Sequence, residues 1–575
     1  MRKKLLSMLV MLAAVVTGAV AQTDLKTPLT LEAKDDGTII TIWYPQKGMQ
    51  YSISGSTKIA VNDKDEEQSI EVNIEVKKGD MVTFYGNGTS ITSYSVTNIQ
   101  CYGECYIYGN IMSLVNEDGF ATATALEDYA FQRLFAGNSN LYSHPTKKLV
   151  LPATTLAAYC YSEMFDRCIN LTTAPELPAT TLAESCYESM FSGCTNLTTV
   201  PEKLPATTLA VRCYNYMFFG CTSLTTSPKL PATDLALSCY NNMFNGCTSL
   251  TTAPELPATT LAESCYYGMF EDCTSLTSVT CLATNIEAGN ATSYWLDGVA
   301  ETGTFIKAED MESWTRGGSG IPSDWTPTDY VTLTDRDDIE TPLSKYAGET
   351  CWVNYTRSFT SGKPSTVCLP FAYTPKTGEK FYTFTGISKD GSSYTANMTE
   401  VVTTPLAPNT PYLFMPTGNA DFSGTYTIPA SITAGTTTVG DWTFVGTYTT
   451  KEWETEPTGI YGFSAQDVAE QGISQGQFVK AGEYVRIQPM RCYLENEGFA
   501  GARGAKREAE PLPETIKVRL ISANGEVTGI GSLLTKTGEV TIDGGTWYSI
   551  DGRRIAGKPS TKGIYVNNGN KVIIK

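Results

Sequence analysis

The sequence predicts an α+β multidomain protein: a solenoid of short parallel strands plus helices, flanked by all-β domains. Three observations lead there. First, the middle of the chain repeats. Leu171, Leu197, Leu224, Leu250 and Leu276 recur at steps of 26, 27, 26 and 26 residues, and one supersecondary unit per such period makes a solenoid. Second, the unit LPATTLAESCYESMFSGC, residues 177–194, carries apolar residues at every fourth position. Third, both flanks show short apolar–polar alternation between Gly, Pro, Asn and Asp turn signals, the pattern of strands.

From the N-terminus, MRKKLLSMLVMLAAVVTGAVAQ has a basic start, an apolar stretch and a small-residue cleavage site. It predicts a secretory signal peptide over residues 1–21, cleaved after Ala21, and hence an exported protein. Its apolar run is shorter than the roughly 20 residues a membrane helix needs, and no later segment is apolar enough to span a bilayer. Residues 22–110 alternate and predict a β-sandwich-like domain. Ile70, Val72, Ile74 and Val76 face one way and Glu71, Asn73, Glu75 and Lys77 the other. Asp63 to Glu67 reads as a charged turn and lacks the spacing of a calcium loop.

Residues 111–327 form the predicted solenoid with its caps. In each unit Leu182, Cys186, Met190 and Cys194, with Ala183, Tyr187 and Phe191, make an apolar stripe that predicts an amphipathic helix. Thr181-Leu-Ala-Glu184 and Thr260-Leu-Ala-Glu263 read as capping boxes, and Gly193, Gly220 and Gly246 as C-caps. Leu197-Thr-Thr then starts a strand, kept brief by the proline at Pro175, Pro201, Pro228 or Pro254. Beyond the solenoid, residues 328–500 predict a second β-rich domain and residues 501–514 a charged linker. Residues 515–575 predict a terminal β element with turns at Asp551-Gly552 and Asn568-Gly569.

Each unit places two cysteines eight apart. One column is Cys160, Cys186, Cys213, Cys239 and Cys265; the other is Cys168, Cys194, Cys221, Cys247 and Cys273. On a helix, eight residues span about 12 Å, too far for a disulfide, whose Cα atoms lie within about 7 Å. Bridges between neighbouring second-column thiols stay open, but five members cannot all pair. The absence of any CxxC argues against zinc. The leading unit, EDYAFQRLFAGNSNL at 127–141, has Ala130 in the first column and Asn138 in the second. The first column therefore calls for a small buried filler, and the second for a residue that bonds loop backbone. Both are read as structural thiols. Pairing of Cys101 with Cys105, or of Cys351 with Cys368, stays open.

These units, with CYIYGNIMSLV (105–115) before them and WLDGVAETGTFIKAEDMESWTRGGSGIPSDWT (295–326) after, resemble the BspA-like leucine-rich repeats of surface proteins from Bacteroides-type bacteria. The resemblance covers roughly residues 100–327. The tail WYSIDGRRIAGKPSTKGIYVNNGNKVIIK is similar to C-terminal segments of exported proteins in such bacteria, some of which direct secretion across the outer membrane. The resemblance implies a secreted or cell-surface binding protein, attached to the bacterial outer surface and active in adhesion, with no shared catalytic site.

Composition narrows the function classes. The net charge of −18 opposes phosphate backbones and anionic lipid, which argues against nucleic acid and simple membrane adsorption. A single histidine, His144, excludes an HExxH zinc site and reads as an ordinary loop residue. No P-loop or βαβ GxGxxG appears, so neither catalytic residues nor a cofactor nor a metal are expected. The expected function is non-catalytic protein binding outside the cell. The candidate surface is the stacked threonines of the strand face: Thr172, Thr173, Thr198, Thr199, Thr225, Thr226, Thr251, Thr252 and Thr277. One of each pair is expected to point outward. The Tyr column (Tyr161, Tyr187, Tyr214, Tyr240, Tyr266) reads as core. The alternatives are a glycan-binding C-terminal β domain using Trp352, Trp442 or Trp453, and a hydrolase built on paired carboxylates.

Overall fold

The computed structural model describes residues 25–46, 48–61, 71–86, 97–115, 117–312, 314–418, 420–464, 474–496, 512–531, 547–549, 554–555, 563–567 and 570–574, with side chains up to residue 527 except that of residue 288. The signal peptide, the charged turn at 63–67, the turns at 551–552 and 568–569 and most of the linker lie outside these residues. The chain forms two compact units, Met1–Asp329 and Tyr330–Lys575.

The α+β expectation is overturned. The protein is almost entirely β, with 34% of residues in strands and 3% helical. The one α-helix with described bounds is Glu340–Ser344, in the second unit and outside the repeats. Every repeat segment expected to be helical is instead a ladder of tight turns. In the coil 183–194, Ser185, Tyr187, Ser189, Phe191 and Gly193 donate their N–H groups to Val211, Cys213, Asn215, Met217 and Phe219 of the next coil, at 2.7–3.0 Å. The intervening Cys186, Glu188, Met190, Ser192 and Cys194 donate three residues back, at 3.1–3.4 Å. Odd and even N–H groups thus have different partners, and none is left over, as burial requires.

Every second one of these inter-coil donors has a left-handed backbone. Ser185, Ser189 and Gly193 have φ of 52°, 52° and 68°, and Arg212, Tyr216 and Gly220 repeat this at 53°, 53° and 65°. The glycines expected to cap helices are therefore the third left-handed position of each ladder. Non-glycine residues pay a steric penalty there, which the bonds to the next coil offset. The expected capping boxes have no helix to cap. The expected strand after each coil also shrinks, to single bridges such as Thr173 with Thr199 and Thr252 with Ser278.

Side chains follow the period of four. Cys186, Tyr187, Met190, Phe191 and Cys194 are all at most 1% exposed, and so are their counterparts Cys213, Tyr214, Met217, Phe218 and Cys221. Facing rings stack from coil to coil. The Phe column from Phe135 to Phe270 keeps centroids 5.5–5.7 Å apart, and the Tyr column runs from Phe131 to Trp295 at 5.6–6.2 Å. An indole and a phenyl close the ends of a tyrosine stack, consistent with atypical terminal coils.

The N-terminal residues share this core, which runs without interruption from Leu29 to Trp325. Glu71–Val76, Thr38–Trp43 and Asn98–Tyr102 form one antiparallel sheet. Cys105–Asn110 belongs to the other, pairing antiparallel with Thr30–Ala33 and parallel with Leu141–Ser143 and Leu149–Val150. Asn98–Tyr102 takes the place of a preceding coil. Ile99 N–H bonds Leu134 O at 2.7 Å, and the Asn138 amide donates to Ile99 O at 3.1 Å.

In the second unit a long sheet is built around Lys380–Asp390 and Ser393–Glu400. Thr515–Ile521 runs parallel beside Ser393–Glu400 in this sheet. Tyr461 hydroxyl donates to Pro513 O at 2.7 Å, so the end of the expected linker is docked. Trp547–Ser549, Arg554–Ile555, Gly563–Asn567 and Asn570–Ile574 make a separate four-stranded sheet.

Candidate functional site

The coil presents two long faces. On the strand face, both members of each threonine pair are exposed at 172–173, 198–199, 225–226 and 251–252, as is Thr277. This corrects the expectation that one of each pair turns inward. Leu171 before the first pair and Ala174 after it are buried, so the pair sits on a bend, where strand alternation does not apply. The hydroxyls are partly committed to backbone. Thr198 Oγ1 donates to Thr172 O and Thr277 Oγ1 to Thr251 O, both at 3.3 Å. Thr198 and Thr199 N–H both reach Thr172 O at 3.1 Å. Where the step is 27 residues the bridging moves along the chain, to Lys203 with Lys229, where Lys229 Nζ also meets Glu202 Oε1 at 2.9 Å.

The turn face is different in kind. The residues between the repeated Cys, Tyr, Met and Phe columns change from coil to coil, and some of them point outward. Tyr129, Tyr216, Phe219, Leu237 and Tyr294 are exposed there, with Tyr294 at 50%. Tyr129 stacks on Tyr159 at 5.1 Å. Tyr216 meets Phe219 at 5.5 Å, and Tyr267 meets Tyr294 edge-on at 5.7 Å. Between the rings lie polar pairs: Asn215 donates to Glu188 at 2.7 Å and Asn245 to Glu271 at 2.8 Å. Partial burial, with Tyr267, Glu271 and Glu188 nearby, raises the Tyr216 hydroxyl above its ordinary pKa. The rings thus make two clusters on this face, Tyr216 with Phe219 in one coil and Tyr267 with Tyr294 across two. Sequence reasoning missed them because the helical reading aimed these positions at no particular surface. The available signal was their variation at fixed places in a repeat that hardly varies elsewhere, as in Tyr216, Asn242 and Gly268.

The cysteines face inward. All sixteen are buried, and Cys101, Cys105 and Cys368 are free thiols. Second-column thiols donate to the carbonyl of the preceding coil's phenylalanine: Cys168 to Phe135, Cys194 to Phe165, Cys221 to Phe191, Cys247 to Phe218 and Cys273 to Phe244, at 3.1–3.2 Å. Asn138 does the same work with its amide. The helical rise no longer separates the two columns; what distinguishes them is that only the second has this carbonyl. Burial pushes Cys186 and Cys239 up to about 12, which removes the thiolate that reactivity needs. Among the described residues no cluster of His, Cys, Asp or Glu is placed to hold a metal.

No family model, no curated protein and no solved structure matches this chain.

The remaining candidates are less open than the sequence implied. His144 is not an ordinary loop residue. Its ring lies edge-on to Tyr106 and Tyr108 at 5.1 and 5.2 Å, and its Nδ1 accepts the N–H groups of Thr146 and Lys147 at 3.1 and 2.9 Å. Burial and the charge of Lys147 lower its pKa, against the opposing pull of Glu32. Trp442 is buried and packs on Tyr461 at 5.5 Å. Trp352 and Trp453 are half-buried, the latter edge-on to Tyr493 at 5.7 Å. Among the described residues no helix is long and apolar enough to cross a membrane.

Proposed function

We propose that this is an exported, non-catalytic surface protein that binds a protein partner outside the cell through the turn face of its coils. The carrying observation is the set of aromatics on this face: Tyr216 and Phe219 in contact, and Tyr294 against the half-buried Tyr267, with Tyr216, Phe219 and Tyr294 exposed. Clustered exposed aromatics rimmed by polar groups are the composition of interaction surfaces. The resemblance to BspA-like surface proteins, the export signal and attachment to the bacterial outer surface belong to the same proposal. Glycan binding by the tryptophans of the second unit has less support, because none of the three is an open platform.

The test uses the full chain against a panel of purified extracellular-matrix proteins and a glycan array. Tyr216→Ala with Phe219→Ala is expected to weaken protein binding at least about tenfold, the scale of an aromatic hot spot. Valine at Thr198, Thr199, Thr225 and Thr226 is expected to leave it unchanged. The reverse pattern would return the binding site to the strand face. Binding only to glycans would defeat the reading.

A further inference from the structure

The second unit gathers several arginines around one cavity. A cavity of about 380 Å³ is lined by Asp335, Arg336, Thr450, Arg486, Gln488 and Arg491. Three arginines on one cavity are notable in a chain of net charge −18. The strands Lys451–Trp453 and Val485–Ile487 pair antiparallel and set Arg486 opposite Glu452. Arg491 opens the strand Arg491–Asn496.

The ion pairs are unevenly shared. Asp335 Oδ2 receives Arg491 Nη2 at 2.6 Å and lies 3.6 Å from Arg357 Nε, so one carboxylate serves two guanidiniums. Arg357 is buried and also donates to Thr366 O and Ser365 Oγ at 3.0 and 2.7 Å. Arg486 Nη2 meets Glu452 Oε1 at 2.9 Å. The other nearby carboxylates are engaged in the chain turn: Asp337 accepts from Thr334 Oγ1 at 2.8 Å and Asp338 from Glu340 N–H at 2.9 Å. Arg336 has no ion-pair partner among the described residues. Arg491 lines the cavity, and its Nε is buried without a hydrogen-bond partner, so Asp335 does not use all of its donors.

We propose that this cavity binds a small ligand bearing a carboxylate on a hydroxylated carbon skeleton. The planar guanidinium fork matches a carboxylate, with Arg336 and Arg491 as its donors. Thr450 and Gln488 provide hydroxyl and amide groups for the neutral part. No aromatic side chain lines the cavity, so the skeleton is polar. An acidic sugar and a free hydroxy acid share this chemistry.

Calorimetry on the full chain in low salt tests it with D-glucuronate, tartrate, glucose and inorganic sulfate. One or both carboxylates are expected to bind saturably, and the tighter of the two names the source. Glucose is expected to give no heat of binding. Arg336→Gln, at an exposed position that does not threaten folding, is expected to weaken binding at least about tenfold, and added salt to weaken it further. Failure of both carboxylates to bind at about 10 mM, a concentration that would reveal even the weakest specific complex, would overturn the proposal. So would unchanged affinity in Arg336→Gln, or sulfate binding more tightly than both carboxylates.

Discussion

The strand face and the turn face of the same coil use repetition in opposite ways. On the strand face the same Leu-Thr-Thr recurs, and several threonine hydroxyls and N–H groups bond the neighbouring coil. On the turn face the backbone does most of that work, through every second N–H. Side-chain bonds such as Asn215 to Glu188 and Asn245 to Glu271 join only some coils, so most positions there are not tied to one residue type. They differ between coils, as Asp166, Ser192, Phe219, Asn245 and Glu271 do in one column. A face whose register is held by main chain is free to vary, and a face whose side chains hold the register is not.

The largest effect is expected beneath the turn face. Phe218→Ala removes a ring stacked between Phe191 and Phe244 and is expected to cost about 3–5 kcal/mol, measured by denaturant unfolding. A loss below about 1 kcal/mol would mean that the Phe column is not a continuous stack.

Next come the two cysteine columns. Cys213→Ser buries a hydroxyl with no carbonyl placed for it, at an expected cost of about 1–3 kcal/mol. Cys221→Ser keeps a donor facing Phe191 O and is expected to lose distinctly less. Equal losses would erase the distinction between the columns.

A third test separates turn ladder from helix by sign. In a helix, Ser189→Gly would destabilise by several tenths of a kcal/mol. At φ 52° it is expected to be neutral or stabilising, because glycine occupies that region without strain. Gly193→Ala, at φ 68° with Arg167 Cγ 3.1 Å from the added carbon, is expected to destabilise by about 1 kcal/mol.

The smallest effect concerns His144, at the leading end of the strand face. Its folded pKa lies below the ordinary value of 6.5, so just below pH 6.5 the unfolded chain binds the proton more readily. Stability therefore falls as pH drops through 6.5 and levels off once the folded ring is protonated. His144→Gln is expected to flatten that part of the stability–pH curve, followed by thermal unfolding at several pH values. An unchanged curve would assign the acid sensitivity to other groups.

What was legible in the sequence follows from locality. The period of 26 or 27 residues, the coil boundaries and the inward columns of Leu, Cys, Tyr, Met and Phe were readable, because burial is written into spacing along one coil. The separate needs of the two cysteine columns were readable too, from Ala130 and Asn138. The turn face and the cavity around Arg336 were not, since both join residues from distant segments.

The sequence by itself determined which side chains are buried and how often the coil recurs. Tertiary structure alone decided what backbone carries them. A spacing of four drifts by about 40° per step on a helix of 3.6 residues per turn, yet three steps are too few for the drift to exclude a helix by eye. The choice rests on where alternate N–H groups bond, and for Ser185, Tyr187, Ser189, Phe191 and Gly193 those partners lie on the next coil. A single coil has no such partner within it, so its own residues could not announce the ladder.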